Sequence, residues 1–195
     1  MSHRLTAGLM AALLLALPAC TPREMLMGVG GAAGTATMQE RGLRGAMSDY
    51  QLRLAINESW FHHSLQLYER ASLMISRGRV VIIGRVPSTE LRELAETLAR
   101  QAGAVYIANR LTVGPDIAFG QRLEDDSISL RLEGTYTFDR DVKALNYDVE
   151  TKDGTVYVIG EAASARERQR VIYLARWFPG VKAVEAYIEV AENSL

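Results

Sequence analysis

Hydrophobic and polar positions along the chain follow the same order twice, with an offset of about 76 residues. Residues 77–84 read RGRVVIIG and residues 153–160 read DGTVYVIG. A Gly-containing turn followed by a dense run of Val and Ile is typical of a tight hairpin that leads into a buried strand. An internal repeat therefore organises the chain.

Helical spacing precedes each hairpin. Leu52, Ile56 and Trp60 recur every four residues, and Ile128 with Leu132 repeats this spacing in the second stretch. Apolar residues at such intervals lie on one side of a helix. The pattern therefore predicts a first helix in each repeat.

A second helix and a closing strand follow each hairpin. Ser88 and Ser164 are the expected N-caps, and Ser164 with Glu167 forms a capping box. Gly103 and Gly180 are expected to end these helices, because Gly accepts the left-handed conformation at a helix C-terminus. The order of elements is αββαβ in both repeats.

This order predicts an α+β protein with two tandem small αββαβ domains, each with its helices packed on one face of a three-stranded mixed sheet. We expect the first domain at residues 47–114, a linker at residues 115–125 and the second domain at residues 126–191. Six glycines at turns, strand ends and helix ends are predicted to be structural: Gly78, Gly84, Gly103, Gly154, Gly160 and Gly180.

The N-terminal segment predicts export and anchoring. Leu5 to Leu17 is an apolar run that suits a signal peptide and is shorter than the roughly 20 residues of a membrane-spanning helix. Leu17-Pro18-Ala19-Cys20 resembles a lipobox, so we expect a signal peptide at residues 1–19 and acyl chains on Cys20. The alternative is an ordinary secretory signal that leaves a free thiol. Residues 20–46, rich in Gly, are expected to form a tether.

Charge and cysteine content narrow the classes of function. The chain has 22 Lys and Arg against 23 Asp and Glu, so it lacks the basic excess typical of nonspecific nucleic-acid binders, and we expect no nucleic-acid partner. With one cysteine, no disulfide can form within the chain.

A cluster of basic and aromatic residues near the second helix of the second repeat is the candidate lipid-binding site. Arginine pairs with phosphate, and Trp favours the interface of a membrane. The cluster consists of Arg166, Arg168, Arg170, Arg176, Trp177, Phe178 and Lys182. The alternative is a structural role, with Phe178 in the core, Trp177 in a contact between domains and the arginines on a solvated face.

Neither catalysis nor a cofactor is expected. The adjacent His62 and His63 point in different directions on a regular element and lack further ligands at metal-binding spacing. Asp125 and Asp126 are expected to be solvated charges in the linker. No catalytic motif is present, and we predict neither a metal nor a cofactor.

The repeated pattern resembles the BON domain, with its Gly hairpin, its β-rich strand ending near Gly, its Ser-capped helix and its final strand after Gly-Val. The resembling segments are residues 78–84 with Gly103-Ala104 and residues 154–160 with Gly180-Val181. Together with Cys20, the two copies are similar to the dual-BON-domain lipoproteins of the DolP (YraP) type. They are more distantly similar to the soluble OsmY type.

The resemblance implies a non-enzymatic lipoprotein of the Gram-negative outer membrane, on its periplasmic face, that binds anionic phospholipid and supports envelope integrity. Thr21 after the anchor favours the outer membrane by analogy with lipoprotein sorting. In the DolP type, lipid contact lies on the first helix of the second domain, here Asp126 to Glu133, where Ser127 replaces an aromatic anchor. Two alternatives are an adaptor that docks an outer-membrane protein or envelope assembly, and an OsmY-like periplasmic chaperone.

Overall fold

The computed structural model describes the backbone of residues 36–191 and the side chains of residues 48–191. The predicted signal peptide, Cys20 and the Gly-rich run up to residue 35 lie outside the described residues. Residues 36–46 are helical, whereas the sequence predicts a tether up to residue 46. Residues 41–195 form one compact unit that contains both repeats.

The first repeat has helices before and after its hairpin. Its elements are α1 (Ala36–His63), α2 (Leu65–Arg70), β1 (Ala71–Ser76), β2 (Arg79–Val86), α3 (Thr89–Gln101), β3 (Tyr106–Asn109) and β4 (Thr112–Val113). Strand β1 is antiparallel to the central strand β2, whereas β3 and the short β4 are parallel to it.

The second repeat has the same order. Its elements are α4 (Phe119–Phe138), a short helical turn (Ala144–Asn146), β5 (Tyr147–Lys152), β6 (Thr155–Ala162), α5 (Ala165–Arg176) and β7 (Ala183–Val190). Strand β6 pairs antiparallel with β5 and parallel with β7. The predicted fold class, α+β with two small domains and mixed sheets, is confirmed.

The helices of each repeat cover one face of its sheet. In the first repeat, Ile56 and Trp60 of α1 pack with Val80 and Ile82 of β2. Leu132 occupies the corresponding place in the second core, on α4. Burial of these side chains stabilises the fold by roughly 1.5–3 kcal/mol each.

The opposite faces of the two sheets pack against each other. Met74, Val81 and Ile83 of the first sheet contact Tyr157 and Ile159 of the second. Successive side chains of a strand point to opposite faces, so each central strand contributes alternately to a helix-covered core and to this contact. The compact unit therefore has four layers, helix, sheet, sheet and helix, with both helix layers on the outside.

One sequence expectation is wrong at the start of α4. Residues 119–125 are helical rather than part of the predicted linker, and Asp125 is 1% exposed rather than solvated. Its carboxylate accepts hydrogen bonds from the backbone N–H groups of Asp153 (2.8 Å) and Gly154 (2.9 Å), which fixes the β5–β6 turn.

Among the described residues, no helix is long and apolar enough to span a membrane.

Candidate functional site

The outer side of α4 carries apolar side chains that face solvent. Phe119, Leu123 and Leu130 are separated by four and seven residues, so they form one stripe along the helix. Leu130 is 70% exposed, and Phe138 at the end of the helix is 88% exposed. The opposite side of α4 packs into the second core. This helix is therefore apolar on two sides, and the described part of the chain buries only one of them.

Helix α5 presents aromatic rings on the same outer layer. It begins after Ser164, whose hydroxyl accepts a hydrogen bond from the backbone N–H of Glu167 (3.1 Å). Tyr173 and Trp177 project outward with their ring centroids 6.4 Å apart, and Trp177 is 75% exposed. A Trp ring has an apolar body and a polar N–H, a combination that suits the boundary between water and hydrocarbon.

An open groove of about 660 Å³ separates the two helices, and we call it the interhelical groove. Its lining consists of Arg131, Gly134, Thr135, Phe138, Asp139, Arg170, Leu174 and Phe178. The guanidinium carbon of Arg131 lies 5.2 Å from the Phe178 ring centroid, which is cation–π distance. The groove therefore combines cationic heads with an apolar lining.

Arg170 and Asp139 form an ion pair inside this groove. The Nε of Arg170 donates to Oδ2 of Asp139 at 3.1 Å, and a terminal nitrogen donates to the same oxygen at 2.8 Å. The hydrogen bonds from Arg170 lower the pKa of Asp139, and the same bonds raise the pKa of Arg170. Both groups are therefore charged at neutral pH.

A second open groove, of about 450 Å³, lies past the C-terminal end of α5, and we call it the terminal groove. It is lined by Arg176, Trp177, Val181, Lys182, Ala183 and Val184. The aliphatic stem of Lys182 lies over Gly154, and its Nζ donates to the carbonyl oxygen of Asp153 at 3.4 Å. Among the described residues, no carboxylate lies within 4.0 Å of the Arg176 guanidinium.

The structure divides the seven candidate lipid-binding residues between these surfaces. Arg170 and Phe178 line the interhelical groove, whereas Arg176, Trp177 and Lys182 line the terminal groove. The two remaining residues line neither groove.

Those two residues, Arg166 and Arg168, are exposed on α5. Arg166 lies 3.6 Å from a carboxylate oxygen of Asp141, and Arg168 has no ion pair within the described part of the chain. They add positive charge to the outer helix layer without forming a pocket.

The seven candidate residues include none from α4, although the family resemblance points to Asp126 to Glu133 on this helix. Arg131, Phe138 and Asp139 line the interhelical groove, and Leu130 is exposed on the same helix. A signal existed, because Leu123 and Leu130 are offset from the Ile128 and Leu132 side of the same helix. Starting the helix at residue 126 hid the upstream half of that exposed stripe.

Ser127 is exposed at the place where the family resemblance implies an aromatic anchor. This helix instead exposes apolar groups at Phe119, Leu123, Leu130 and Phe138, and Trp177 adds an indole from α5. The outer layer therefore has aromatic and aliphatic side chains at other positions.

The described residues hold no group of three or more His, Cys, Asp or Glu that could bind a metal ion. His62 lies 3.9 Å from a carboxylate oxygen of Glu58, and Nδ1 of His63 is 2.8 Å from the carbonyl oxygen of Ser59. Both carboxylate oxygens of Asp125 accept hydrogen bonds from the backbone of the β5–β6 turn.

Comparison with known families finds a match to the BON domain over residues 68–115 and 124–192. One match lies in each repeat, and together they cover more than half of the chain.

Three similar proteins differ in the length of the match. A protein described as "uncharacterized protein in gshII 5'region" of Anaplasma centrale is 28% identical over 151 residues, 76% of this chain and 99% of that protein. The outer membrane lipoprotein DolP of Haemophilus influenzae is 29% identical over 116 residues, 59% of this chain and 60% of that protein. A 21 kDa hemolysin of Actinobacillus pleuropneumoniae is 31% identical over 98 residues, half of each chain.

Two solved structures of CdsD, a structural protein of the Type III secretion system of Chlamydia trachomatis, also align with the chain. They cover 71% and 75% of it, and 63% and 66% of their own chains, at 16% and 14% identity with TM-scores of 0.31 and 0.30.

Proposed function

This chain belongs to the BON domain family, and from that premise we propose that it is a non-catalytic envelope lipoprotein whose second BON domain binds anionic phospholipid. It is distantly related to DolP, and the BON family is usually non-enzymatic. The proposal extends this relationship to lipid recognition at the periplasmic face of the outer membrane and to a role in envelope integrity.

The observation that carries the proposal is the outer helix layer of the second domain. Leu130, Phe138 and Trp177 are each at least 70% exposed there. Exposed apolar groups of this size, grouped on one face, are typical of a contact with a membrane or a partner. Their removal from water would supply the apolar part of the binding energy.

Basic residues on the same layer supply the preference for anionic lipid. Within the described residues, Arg131, Arg168 and Arg176 have no carboxylate within 4.0 Å, so their charge is available to a ligand. Each Lys or Arg near an anionic surface contributes about 1 kcal/mol. Three such residues would therefore favour an anionic over a neutral membrane by roughly 3 kcal/mol.

The proposed anchor is Cys20, which lies outside the described residues. The sequence Leu17-Pro18-Ala19-Cys20 and the description of the Haemophilus influenzae relative as an outer membrane lipoprotein both support it. One acyl chain holds a protein only marginally, whereas several chains hold it stably. The domains would then meet lipid while the anchor keeps them close to the membrane.

The test is co-sedimentation of residues 41–195 with vesicles of phosphatidylcholine, with and without phosphatidylglycerol, at low and moderate salt. This compact unit lacks the signal peptide and Cys20, so binding reports on the domains alone. We expect binding only to the anionic vesicles, and weaker binding at higher salt because screening reduces charge attraction.

Reversing two charges of α5, with Arg168→Glu and Arg176→Glu, is expected to weaken this binding by roughly 30-fold or more. The repeat offers a matched control, since Arg92→Glu and Arg100→Glu reverse the equivalent positions of α3 in the first domain. Equal losses from the two pairs of variants would argue against a site on the second domain. No binding by the unmodified unit would leave Cys20 as the only proposed contact with the membrane.

A protein-docking adaptor is the second candidate, and the outer face of the first domain favours it. A groove of about 470 Å³ there is lined by Leu54, Asn57, Glu58, Phe61 and Tyr68. The Phe61 and Tyr68 rings meet edge to face, 5.5 Å apart and partly exposed. A photo-crosslinking residue at Phe61 would capture one defined envelope protein if this function holds.

A further inference from the structure

Strand β7 lies at an open edge of the second sheet, because β6 is the only strand that pairs with it among the described residues. The backbone N–H of Ala183 donates toward β6 at 3.5 Å, and that of Ala191 donates at 2.9 Å. Bonds of a parallel ladder come from every second residue, so the residues between them turn their N–H and C=O groups away from β6. These outward groups include those of Val184, Ala186 and Ile188.

The equivalent edge of the first repeat is short and interrupted. Strand β3 has four residues and β4 has two, with a break between them. Strand β7 instead runs without a break for eight residues. Short strands and breaks protect a sheet edge from pairing with another chain. The second repeat lacks this protection at β7, and such an edge can accept an additional strand.

The terminal groove lies at the start of this open edge, and Val184 is part of its lining. The Arg176 guanidinium has no carboxylate within 4.0 Å in the described part of the chain. The Lys182 ammonium donates to the carbonyl oxygen of Asp153 at 3.4 Å. Beside these two cations, the exposed Trp177 ring supplies an apolar surface. The first residues of β7 therefore adjoin a site for an anionic group attached to an apolar one.

The first repeat lacks this chemistry at the equivalent positions. Arg100, at the position of Arg176, pairs with Glu96 at 2.8 Å. Gln101 and Val105 stand where the terminal groove has its Trp and its Lys. The long open edge and the cationic groove thus occur together in the second repeat, and neither occurs in the described part of the first.

We propose that β7 binds the extended C-terminal segment of another protein as an added antiparallel strand, with the terminal carboxylate of that segment at Arg176 and Lys182. Antiparallel addition places the end of the ligand at the start of β7, where the terminal groove lies. Parallel addition would bring the amino end of the ligand to the same two cations, which would repel its charge. The last side chain of the ligand is apolar, because it lies against Trp177 and Val184.

The outward edge of β7 needs a ligand with both hydrogen-bond donors and acceptors. A polypeptide strand supplies N–H and C=O groups at the spacing of the edge, whereas a lipid phosphate supplies acceptors alone. Arg176 and Trp177 belong to this surface and also to the proposed lipid contact, so the test of peptide binding contains no membrane.

The experiment measures binding of a fluorescent peptide to residues 41–195 by fluorescence polarisation. The peptide is as long as β7, alternates Thr with Val and ends in Phe, with either a free carboxylate or a carboxamide. We expect the free acid to bind, and the amide to bind at least about tenfold more weakly because it loses charge-assisted hydrogen bonds. Equal affinities of the two peptides, or binding of neither, would overturn the proposal.

Arg176→Gln tests the carboxylate contact from the side of the protein. It is expected to weaken binding of the free acid about fivefold and to leave binding of the amide unchanged. The matched control is Arg100→Gln, which removes a cation from the equivalent position of α3 and is expected to change neither affinity. Equal losses from the two variants would overturn the assigned contact.

Hydrogen exchange tests the strand addition itself. The free-acid peptide should slow exchange of the outward N–H groups of Val184, Ala186 and Ile188 at least about tenfold, because they become hydrogen-bonded. Those of Glu185 and Tyr187, directed to β6, should exchange as before. Bound peptide without added protection at the three outward positions would overturn the proposal.

Sedimentation of residues 41–195 without peptide tests the other occupant of this edge, a second copy of β7. We expect a monomer, whose outward N–H groups exchange rapidly. A dimer in which these groups are already protected would overturn the proposal, because the second copy would then fill the edge.

Discussion

At the residue scale, equivalent positions of the two repeats make the same contact with different chemistry. The Trp60 indole donates to the carbonyl oxygen of Ala95 at 3.3 Å, and the Tyr136 hydroxyl donates to that of Val171 at 3.0 Å. Each pair is separated by 35 residues, and each bond links the first helix of a repeat to the helix that follows its hairpin. A buried polar group needs such a partner, so the ring type can change while the hydrogen bond is kept.

The two repeats also share an aspartate that fixes the hairpin turn. Asp49 accepts hydrogen bonds from the backbone N–H groups of Arg77 and Gly78, both at 2.7 Å, as Asp125 does for the second turn. Local capping by Ser88 and Ser164 could be predicted from sequence, because donor and acceptor lie three residues apart. The role of Asp125 could not, since its partners lie 28 and 29 residues downstream.

We predict that Asp125→Ala lowers the free energy of unfolding by about 3 kcal/mol, because it leaves two backbone N–H groups of a buried turn without partners. Asp49→Ala, at the more exposed equivalent position, should cost about 1 kcal/mol, since water can replace the carboxylate there. Urea unfolding of residues 41–195 measures both. Equal losses would contradict the difference in burial between the two turns.

At the element scale, the helix that follows each hairpin was easier to predict than the helix that begins each repeat. Ser88 and Ser164 mark the start of α3 and α5, and each helix buries one side. Helix α4 begins after Ala118, which makes no side-chain cap, and its apolar residues lie on two sides. Sequence reasoning recognises a helix by a capping residue at its start and by apolar residues on one side. Helix α4 has neither signal, so its start and its exposed stripe were hard to predict.

The close approach at Gly160 gives a prediction for the β5–β6 pair. A Cβ at this position would collide with the backbone carbonyl of Asn146, and φ there is +157°. Gly160→Ala is therefore expected to destabilise the protein by about 3 kcal/mol or more, because backbone rather than a side chain must move.

The matched control is Gly134→Ala on α4, where a Cβ meets no atom within 4 Å. Alanine is the better helix former, so this change should stabilise the protein by about 0.5–1 kcal/mol. Thermal unfolding of the two variants measures both effects. A tolerated Gly160→Ala would show that the strand pair is looser than the structure indicates.

At the scale of the whole molecule, the contact between the sheets was not predicted, although the sequence contained an indication of it. The central strands read as nearly continuous apolar runs, a feature typical of strands buried on both faces. Five ion pairs flank the contact among the described residues, and each joins an Arg of the first repeat to a carboxylate of the second: Arg53–Asp148, Arg77–Glu161, Arg79–Glu189, Arg85–Asp153 and Arg110–Glu185.

Two of these pairs are reciprocal. In the alignment of the two repeats, Arg77 is equivalent to Asp153, and Arg85 is equivalent to Glu161. Arg77 pairs with Glu161 and Arg85 pairs with Asp153, so the same two positions pair crosswise between the repeats. The sheets thus meet like the two halves of a symmetric dimer, with opposite charges on the two sides. Two identical repeats would place like charges together, so this arrangement favours pairing of the first repeat with the second.

Charge reversal tests this arrangement. Arg77→Glu with Arg85→Glu should destabilise residues 41–195 by about 1–2 kcal/mol, since carboxylates then face carboxylates at partly exposed positions. Adding Asp153→Arg and Glu161→Arg should recover most of the loss. A double-mutant cycle from urea unfolding measures the coupling, and simple additivity would contradict the reciprocal pairing.

The central claim, that the outer layer of the second domain contacts anionic lipid, is tested most directly by tryptophan fluorescence. The chain has two Trp residues; Trp60 is fully buried and Trp177 is 75% exposed, so a change caused by lipid reports on Trp177. With residues 41–195, vesicles containing phosphatidylglycerol with brominated acyl chains should shift the emission to shorter wavelength and quench it, whereas neutral vesicles should do neither. Unchanged emission at saturating anionic lipid would contradict the proposed contact.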